Sequence, residues 1–261
     1  MKLNRLIPGV AAVAAILTFT ACLSPAKKLA LQREKDPQYQ YEKAAICLNN
    51  NFIDEAFTYI DKALALKPNF KEALNLRGLA LMIKGRIPEA IQTFKSCLES
   101  DPAFSEGWNN LATAYDQGGQ KDQAVDAWKK AYGLDQNYNA SYNLAKVAYE
   151  EKQYDVALDW IRKSLAKYSK SVMSYNLQGL IYEALEGYAD AIDSYQQALK
   201  LAPTELNVQF NLAMAYYRKK DYARCREWLE KLRPLAKDEL KMKVEEMLKR
   251  VGRTSASDPA F

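Results

Sequence analysis

The sequence has no histidine, and its 261 residues include only 10 Gly, 9 Pro and 4 Cys. Without imidazole there is no Ser-His or Cys-His nucleophile, no His general base, and no zinc site that needs a histidine ligand. Four cysteines cannot make a disulfide-dense scaffold at this size, and none stands in the Cys-x2-Cys spacing that metal ligation favours. So little Gly and Pro excludes collagen-like and low-complexity classes and suits a helix-rich chain. There is no Gly-rich phosphate loop, since Gly118-Gly119 falls in an inter-helix turn. Charge of one sign is also scarce: 37 Lys and Arg against 32 Asp and Glu give +5, too mild and too interspersed to argue for nucleic acid. No nucleophile, base and orienting group converge in the pattern, so no catalytic residue, cofactor or metal is expected.

What is present begins with an address. Lys2 and Arg5 precede an apolar stretch from Val10 to Phe19, closed by Thr20-Ala21-Cys22. About ten apolar residues span roughly 15 Å as a helix, half of a bilayer core, which disfavours a permanent span and fits the h-region of a signal peptide. Phe19-Thr20-Ala21-Cys22 resembles a bacterial lipobox. That resemblance implies that residues 1–21 are removed and that Cys22 carries a diacylglyceryl thioether and an acylated amino group. Several acyl chains hold a protein on a membrane where a single chain is marginal. The alternative is an ordinary cleaved signal with a coincidental cysteine. The next residue is Leu23, and the lack of Asp there favours the outer membrane over the inner one. Loss of Lys2 and Arg5 leaves 35 − 32 = +3. Residues 22–36 read as a polar tether or a weak first helix.

From residue 37 to 235 one pattern recurs. Ala56, Ala90, Ala124, Ala157, Ala191 and Cys225 follow one another at steps of 34, 34, 33, 34 and 34. Twelve residues earlier, Ala44, Gly78, Ala112, Ala145, Gly179 and Ala213 keep the same steps, and four residues later Ile60, Phe94, Trp128, Ile161, Tyr195 and Leu229 do so too. Small residues at two fixed places and a bulky one at a third are what closely packed antiparallel helix pairs require. Trp108-x2-Leu111-Ala112-x2-Tyr115, followed by Ala124-x3-Trp128, resembles the tetratricopeptide repeat (TPR) signature. Pro68, Pro102 and Pro203 end second helices, and Gly85, Gly119 and Gly187 sit in or beside the turns within pairs, where a left-handed cap suits Gly. The resemblance implies an all-α, right-handed superhelical solenoid of six helix pairs, with no second domain. Residues 236–251, with Leu240, Val244, Met247 and Leu248, read as a C-terminal capping helix, and 252–261 as a flexible tail.

The remaining candidates for chemistry fall largely on repeat columns. Cys47, Cys97 and Cys225 stand where small or apolar core residues belong and read as buried thiols. Most of the 17 Tyr residues read as core. Counting the Ala44 column as position 8, position 6 holds Asn110, Asn143 and Asn211, and position 5 holds Asn75, Asn109 and Asn176. A ladder of amides on the first helices can pair an extended peptide backbone, or can instead join neighbouring helices. Beside it, Leu79, Met82, Ile83, Tyr149, Leu180, Met214 and Tyr217 form a candidate apolar contact wall. Lys and Arg columns of the kind that clamp a terminal carboxylate in chaperone-binding TPR domains are missing. Arg218 to Arg253 carries 13 basic against 7 acidic residues, which reads as a solvated face or as contact with an acidic partner or anionic lipid.

Signal, lipobox-like Cys22, short tether and six repeats together resemble the PilF/PilW-type pilotins, outer-membrane lipoproteins that help the type IV pilus secretin reach the membrane and multimerise. The resemblance implies a membrane-anchored scaffold with no nucleic-acid partner. Its groove would bind an envelope protein, a secretin subunit foremost, through Asn75, Asn110, Asn143, Asn176, Asn211, Leu79, Met82, Tyr149 and Tyr217. The alternative is a general envelope adaptor for peptidoglycan or outer-membrane assembly machinery.

Overall fold

The computed structural model describes residues 24–256, which form fourteen α-helices and no strand. They divide into two compact units, each built from antiparallel helix pairs. The first unit runs to Ala103 and includes Thr113–Gln120. It holds α1 (Pro25–Arg33), α2 (Pro37–Asn49), α3 (Ile53–Leu66), α4 (Lys71–Ile83), α5 (Ile87–Ser100) and the end of α6 (Ser105–Gln117). The second comprises Phe104–Ala112 and the chain from Lys121 onward. Beyond the start of α6 it holds α7 (Lys121–Asp135), α8 (Tyr138–Glu150), α9 (Tyr154–Lys167), α10 (Val172–Ala184), α11 (Tyr188–Leu201), α12 (Leu206–Arg218), α13 (Tyr222–Leu232) and α14 (Asp238–Ala256).

The three sequence columns are the core. Ala44, Ala56 and Ile60, like Ala145, Ala157 and Ile161, are wholly buried, and so are Ala213, Cys225 and Leu229. A small residue on each first helix lets the bulky residue of its partner close over the backbone, so the two axes approach closely. One pair buries too little apolar surface to stand alone, and stacking on neighbours supplies the rest. At the C-terminal end Val244, Met247 and Val251 of α14 close the core, with Leu240 and Leu248 packed beside them.

Every first helix ends the same way. Asn51, Gly85, Gly119, Lys152, Glu186 and Lys220 all take a left-handed backbone, with φ between 60° and 75°. The next amide reaches back five residues to a carbonyl, as from Phe52 to Cys47 (2.8 Å) and from Gly187 to Tyr182 (2.8 Å). This is the Schellman closure, which satisfies carbonyls that the helix end would strand. Gly187 lies beside the turn, at φ −78°, and does not supply the left-handed residue there; Glu186 takes that position.

The single 33-residue step also has a local cause. Most pair-to-pair links pass through an extended residue, such as Lys67 or Asp101, before the next helix. Between α7 and α8 only Gln136 and Asn137 intervene: Gln136 turns left-handed (φ 57°) and the Asn137 side chain caps α8 by accepting from the Ala140 amide at 3.1 Å. At the N-terminal end the described part of residues 22–36 takes the second of its two readings, a first helix. The tether stretch contains α1, N-capped by Ser24 and tied to α2 where Gln40 Nε2 donates to the Glu34 carbonyl at 2.8 Å. The capping helix continues past 251 to Ala256, into the expected tail.

Candidate partner-binding face

In the first unit, α4 carries Asn75, Leu79 and Met82. Asn75 is only 5% exposed, so the packing of the helices covers it and it is not presented to a ligand as the ladder requires. Leu79 and Met82 are half-buried, and Ile83 is exposed.

In the second unit, the start of α6 and the first helices α8, α10 and α12 carry the other candidates. The amides there pair first with one another. Asn211 Nδ2 donates to Asn176 Oδ1 at 3.0 Å, and Asn143 Nδ2 donates to Asn109 Oδ1 at 3.4 Å. Asn109 in turn donates to Asn110 Oδ1 at 3.3 Å. The ladder therefore joins neighbouring first helices, the second of the two roles weighed for it. The Asn176–Asn211 bond still leaves Asn211 Oδ1 and Asn176 Nδ2 with capacity for a further partner.

Two turns along the same helices lies a row that the repeat columns predict only in part. Tyr149, Glu183 and Tyr217 occupy equivalent positions of α8, α10 and α12. Tyr149 and Tyr217 are half-buried, and each packs against the tyrosine that opens the following helix, Tyr154 (centroids 5.8 Å apart) and Tyr222 (5.5 Å). Glu183 between them is 8% exposed. Its Oε2 pairs with Arg218 Nη1 at 2.9 Å, while the Tyr195 hydroxyl from α11 interacts with the same carboxyl from within the core. Neither Oε1 nor that hydroxyl forms a well-aligned hydrogen bond. Burial pushes the Glu183 carboxyl above the ordinary glutamate range, against the pull of Arg218 and then of the Tyr195 hydroxyl. Burial likewise raises Tyr195, with the Glu183 charge adding to it.

Reading residues singly missed Glu183, because carboxylates on a repeat helix are ordinarily solvated, and gave Arg218 only as the first residue of a basic stretch. A signal existed nonetheless. Asn176 and Asn211 are 35 residues apart, one repeat plus one, and so are Glu183 and Arg218. Asn109 and Asn143 are 34 apart across the 33-residue step, which is again one repeat plus one. That offset brings side chains of successive first helices into contact.

The cysteines divide. Cys225 is wholly buried and burial pushes its thiol up to about 11, leaving it protonated and inert at neutral pH. Cys97 is wholly buried and its thiol donates to the Lys71 carbonyl at 3.2 Å. Ser164 holds the same repeat position and bonds the Tyr138 carbonyl at 2.9 Å. Cys47, expected to be buried, is only half so. Cys22 and the signal segment 1–21 lie outside the described residues. Among the described residues no group of His, Cys, Asp and Glu could hold a metal, and no helix is long and apolar enough to cross a membrane.

First and second helices together line further clefts. One of about 420 Å³ in the first unit is lined by Phe57, Asp61, Arg77 and Arg86, and one of about 360 Å³ in the second by Val125, Val147, Val156 and Trp160 with Asp122 and Asp126.

Comparison with known proteins gives the family. Two tetratricopeptide-repeat family profiles match residues 30–103 and 93–126, and the tetratricopeptide repeat protein 21 C-terminal ARM domain profile matches 134–250. The chain belongs to the TPR repeat family. Among curated relatives, the TPR repeat-containing protein MJ0941 of Methanocaldococcus jannaschii is 57% identical over 44 residues, 17% of this chain and 13% of that protein. The uncharacterized protein MJ0572 of the same organism is 35% identical over 60 residues, 23% of this chain and 70% of that protein. The match thus spans a small part of the first relative and most of the second. Among solved structures, a chain of the APC/C hetero-tetramer Cut9-Hcn1 aligns with a TM-score of 0.71 at 21% identity, over 83% of this chain and 43% of that one. PilW, a type IV pilus biogenesis factor, aligns at 0.71 with 14% identity, over 80% of this chain and 97% of PilW. Pseudomonas aeruginosa PilF aligns at 0.61 with 19% identity, over 72% and 87% respectively. At such identities these likenesses speak for the TPR fold.

Proposed function

We propose that this TPR protein is a membrane-tethered envelope scaffold, anchored through an acylated Cys22 at the outer membrane and facing the periplasm, and that it promotes assembly of a type IV pilus secretin. The observation that carries the reading is the conjunction of a lipobox-like Cys22 with a first-helix face that combines amide capacity at Asn176 and Asn211 with the half-buried rings of Tyr149 and Tyr217. A peptide backbone pairs with amides without its sequence being read, and aromatic surface accepts the side chains between. An unassembled secretin subunit exposes apolar strand edges, and shielding them until multimerisation is a task for such a surface. The fold likeness to PilF and PilW over most of their length supports this assignment. The scaffold role needs no catalytic residue.

The test is the yield of heat-stable secretin multimers in membranes from cells with and without the gene. Loss of multimers on deletion, restored by the full chain, is the expected result. Undiminished multimers in the deletion strain would instead favour a general adaptor for peptidoglycan or outer-membrane assembly machinery.

A further inference from the structure

We infer that Arg218, held in place by Glu183, reads an acidic side chain on the segment that docks against α10 and α12, so that the partner carries a glutamate or aspartate at that point. The inference rests on the binding face proposed above and adds the chemistry of its ligand.

Three observations support it. First, Arg218 is pinned yet accessible: Nη1 pairs with Glu183 Oε2 at 2.9 Å, while its side chain is 48% exposed and that of Glu183 only 7%. A guanidinium has five donors in a rigid fork, so one contact to a buried carboxylate fixes its plane and leaves other N–H groups facing outward. A second carboxylate can then be bound without immobilising a loose side chain first, which is where exposed ion pairs lose most of their benefit. Second, Lys219 and Lys220 follow directly and are exposed, making the end of α12 basic. The buried Glu183 cannot serve an incoming cation, because Oε1 is shut away beside the Tyr195 hydroxyl. Third, the neighbours suit a peptide. Asn176 and Asn211 precede Glu183 and Arg218 by seven residues each, about 10 Å along a helix, which an extended segment spans in about three residues. The paired rings of Tyr217 and Tyr222, 5.5 Å apart, stand beside Arg218 in sequence and offer apolar contact. A lipid headgroup would be met by lysines spread over a flat surface, whereas a pinned fork favours a planar carboxylate.

The experiment is to pan a randomised peptide library displayed on phage against the purified mature chain, and against Arg218→Gln, Arg218→Lys and Glu183→Gln. With the wild type, enriched peptides should share one Asp or Glu at a fixed place beside apolar residues. Arg218→Gln should abolish that acidic preference, and the selected peptide should bind it about tenfold or more weakly, the scale of one charge-assisted hydrogen bond. Changing the peptide's acid to its amide should cost the wild type the same factor and Arg218→Gln nothing further, since the two changes remove one contact. Arg218→Lys should keep a reduced preference, and Glu183→Gln should weaken it while circular dichroism stays unchanged, which separates positioning from fold. Enrichment of peptides with no shared acid would overturn the inference and leave the binding face standing. An acidic preference that survives in Arg218→Gln would overturn it as well. No enrichment at all would remove both the face and the inference. If phosphatidylglycerol vesicles bind the wild type, fail to bind Arg218→Gln and displace the selected peptides, the basic end belongs to a membrane and the inference fails.

Discussion

The ring of Tyr195 fills the space that a side chain at Gly179 would need: a Cβ there would lie 2.4 Å from Cε1 of the ring. Gly78 and Phe94 repeat the arrangement, again at 2.4 Å. In the other four repeats Ala stands on the first helix, and Ile60, Trp128, Ile161 or Leu229 faces it from the second. A small residue against a large one is thus kept in every pair. At Gly179 the consequence is more than packing, because the ring that the glycine admits carries its hydroxyl to the Glu183 carboxyl one turn further along α10.

Gly179→Ala should therefore overpack this contact and cost about 1–3 kcal/mol, read as a lower urea midpoint with unchanged slope. Tyr195→Ile in the same chain should recover part of the loss, since Ala145 with Ile161 is the arrangement already used one repeat earlier. A double variant no more stable than Gly179→Ala would show that the glycine is not there to admit the ring.

How much of this could be read beforehand depended on whether one residue type marked the feature. Steps of 33 and 34 gave the helix pairs, because packing demands a small residue at each of those places and any substitute is visible. The left-handed turn was visible only at Gly85 and Gly119; Asn51, Lys152, Glu186 and Lys220 adopt the same backbone without its usual marker. The amides were correctly placed on the first helices, but nothing in a single helix says that Asn211 will meet Asn176. The pairing of Glu183 with Arg218 escaped for the same reason: Glu183 looks solvated until the register of successive helices is known.

The hidden turns lead to a second prediction. A residue with a Cβ in the left-handed region carries a cost that glycine avoids, partly offset by glycine's greater freedom when unfolded. Lys152→Gly and Glu186→Gly should each raise stability by about 0.5–1 kcal/mol, whereas Gly85→Ala should lower it by a similar amount. Denaturant melts of the three variants check this. Opposite signs at equivalent positions are the outcome that matters.

The third concerns pH. Glu183 is faced by Arg218 from α12, by Tyr195 from α11 and by Tyr149 from α8, and burial outweighs the favourable charge of Arg218. Its native pKa thus lies above the unfolded value, so the native state holds the proton more tightly. Where the unfolded chain has already lost that proton, stability falls as pH rises, and levels off above the native value. Acidification from neutral pH should accordingly recover stability through this group until the unfolded glutamate protonates too. Glu183→Gln should remove that component, so the difference in unfolding free energy between variant and wild type should change as pH rises above the ordinary glutamate pKa and then level off. A difference that stays constant across the range would show that Glu183 keeps an ordinary pKa.

The fourth concerns the anchor. Mass spectrometry of the protein extracted from membranes should find Cys22 as the first residue, acylated on sulfur and on its amino group. Cys22→Ala should abolish that modification and release the protein from the membrane fraction, since the acyl chains supply the apolar burial that holds it there. An unmodified Cys22 in the wild type would remove the lipoprotein reading.

The last prediction separates the face from the frame. Tyr149 lies half-buried on α8, with the Tyr154 ring 5.8 Å away, and is near enough to Glu183 for their charges to interact. Tyr149→Asp removes the ring and places a second carboxylate beside Glu183, where it would compete for Arg218. The stability cost should be moderate, about 1–2 kcal/mol, because the residue leans on the core without belonging to it. Met82→Asp makes the corresponding change on α4 of the first unit, at a side chain that is likewise half-buried. Both variants should keep their helical circular dichroism and their membrane attachment. Secretin multimer yield in cells carrying each variant then reports on the face alone. Loss of multimers with Tyr149→Asp and retention with Met82→Asp would place the contact on the second unit, where Asn176, Asn211 and Arg218 also lie. Normal yield with both would move the contact to the clefts that first and second helices share, of which the one lined by Val125, Val156 and Trp160 would be the next to alter.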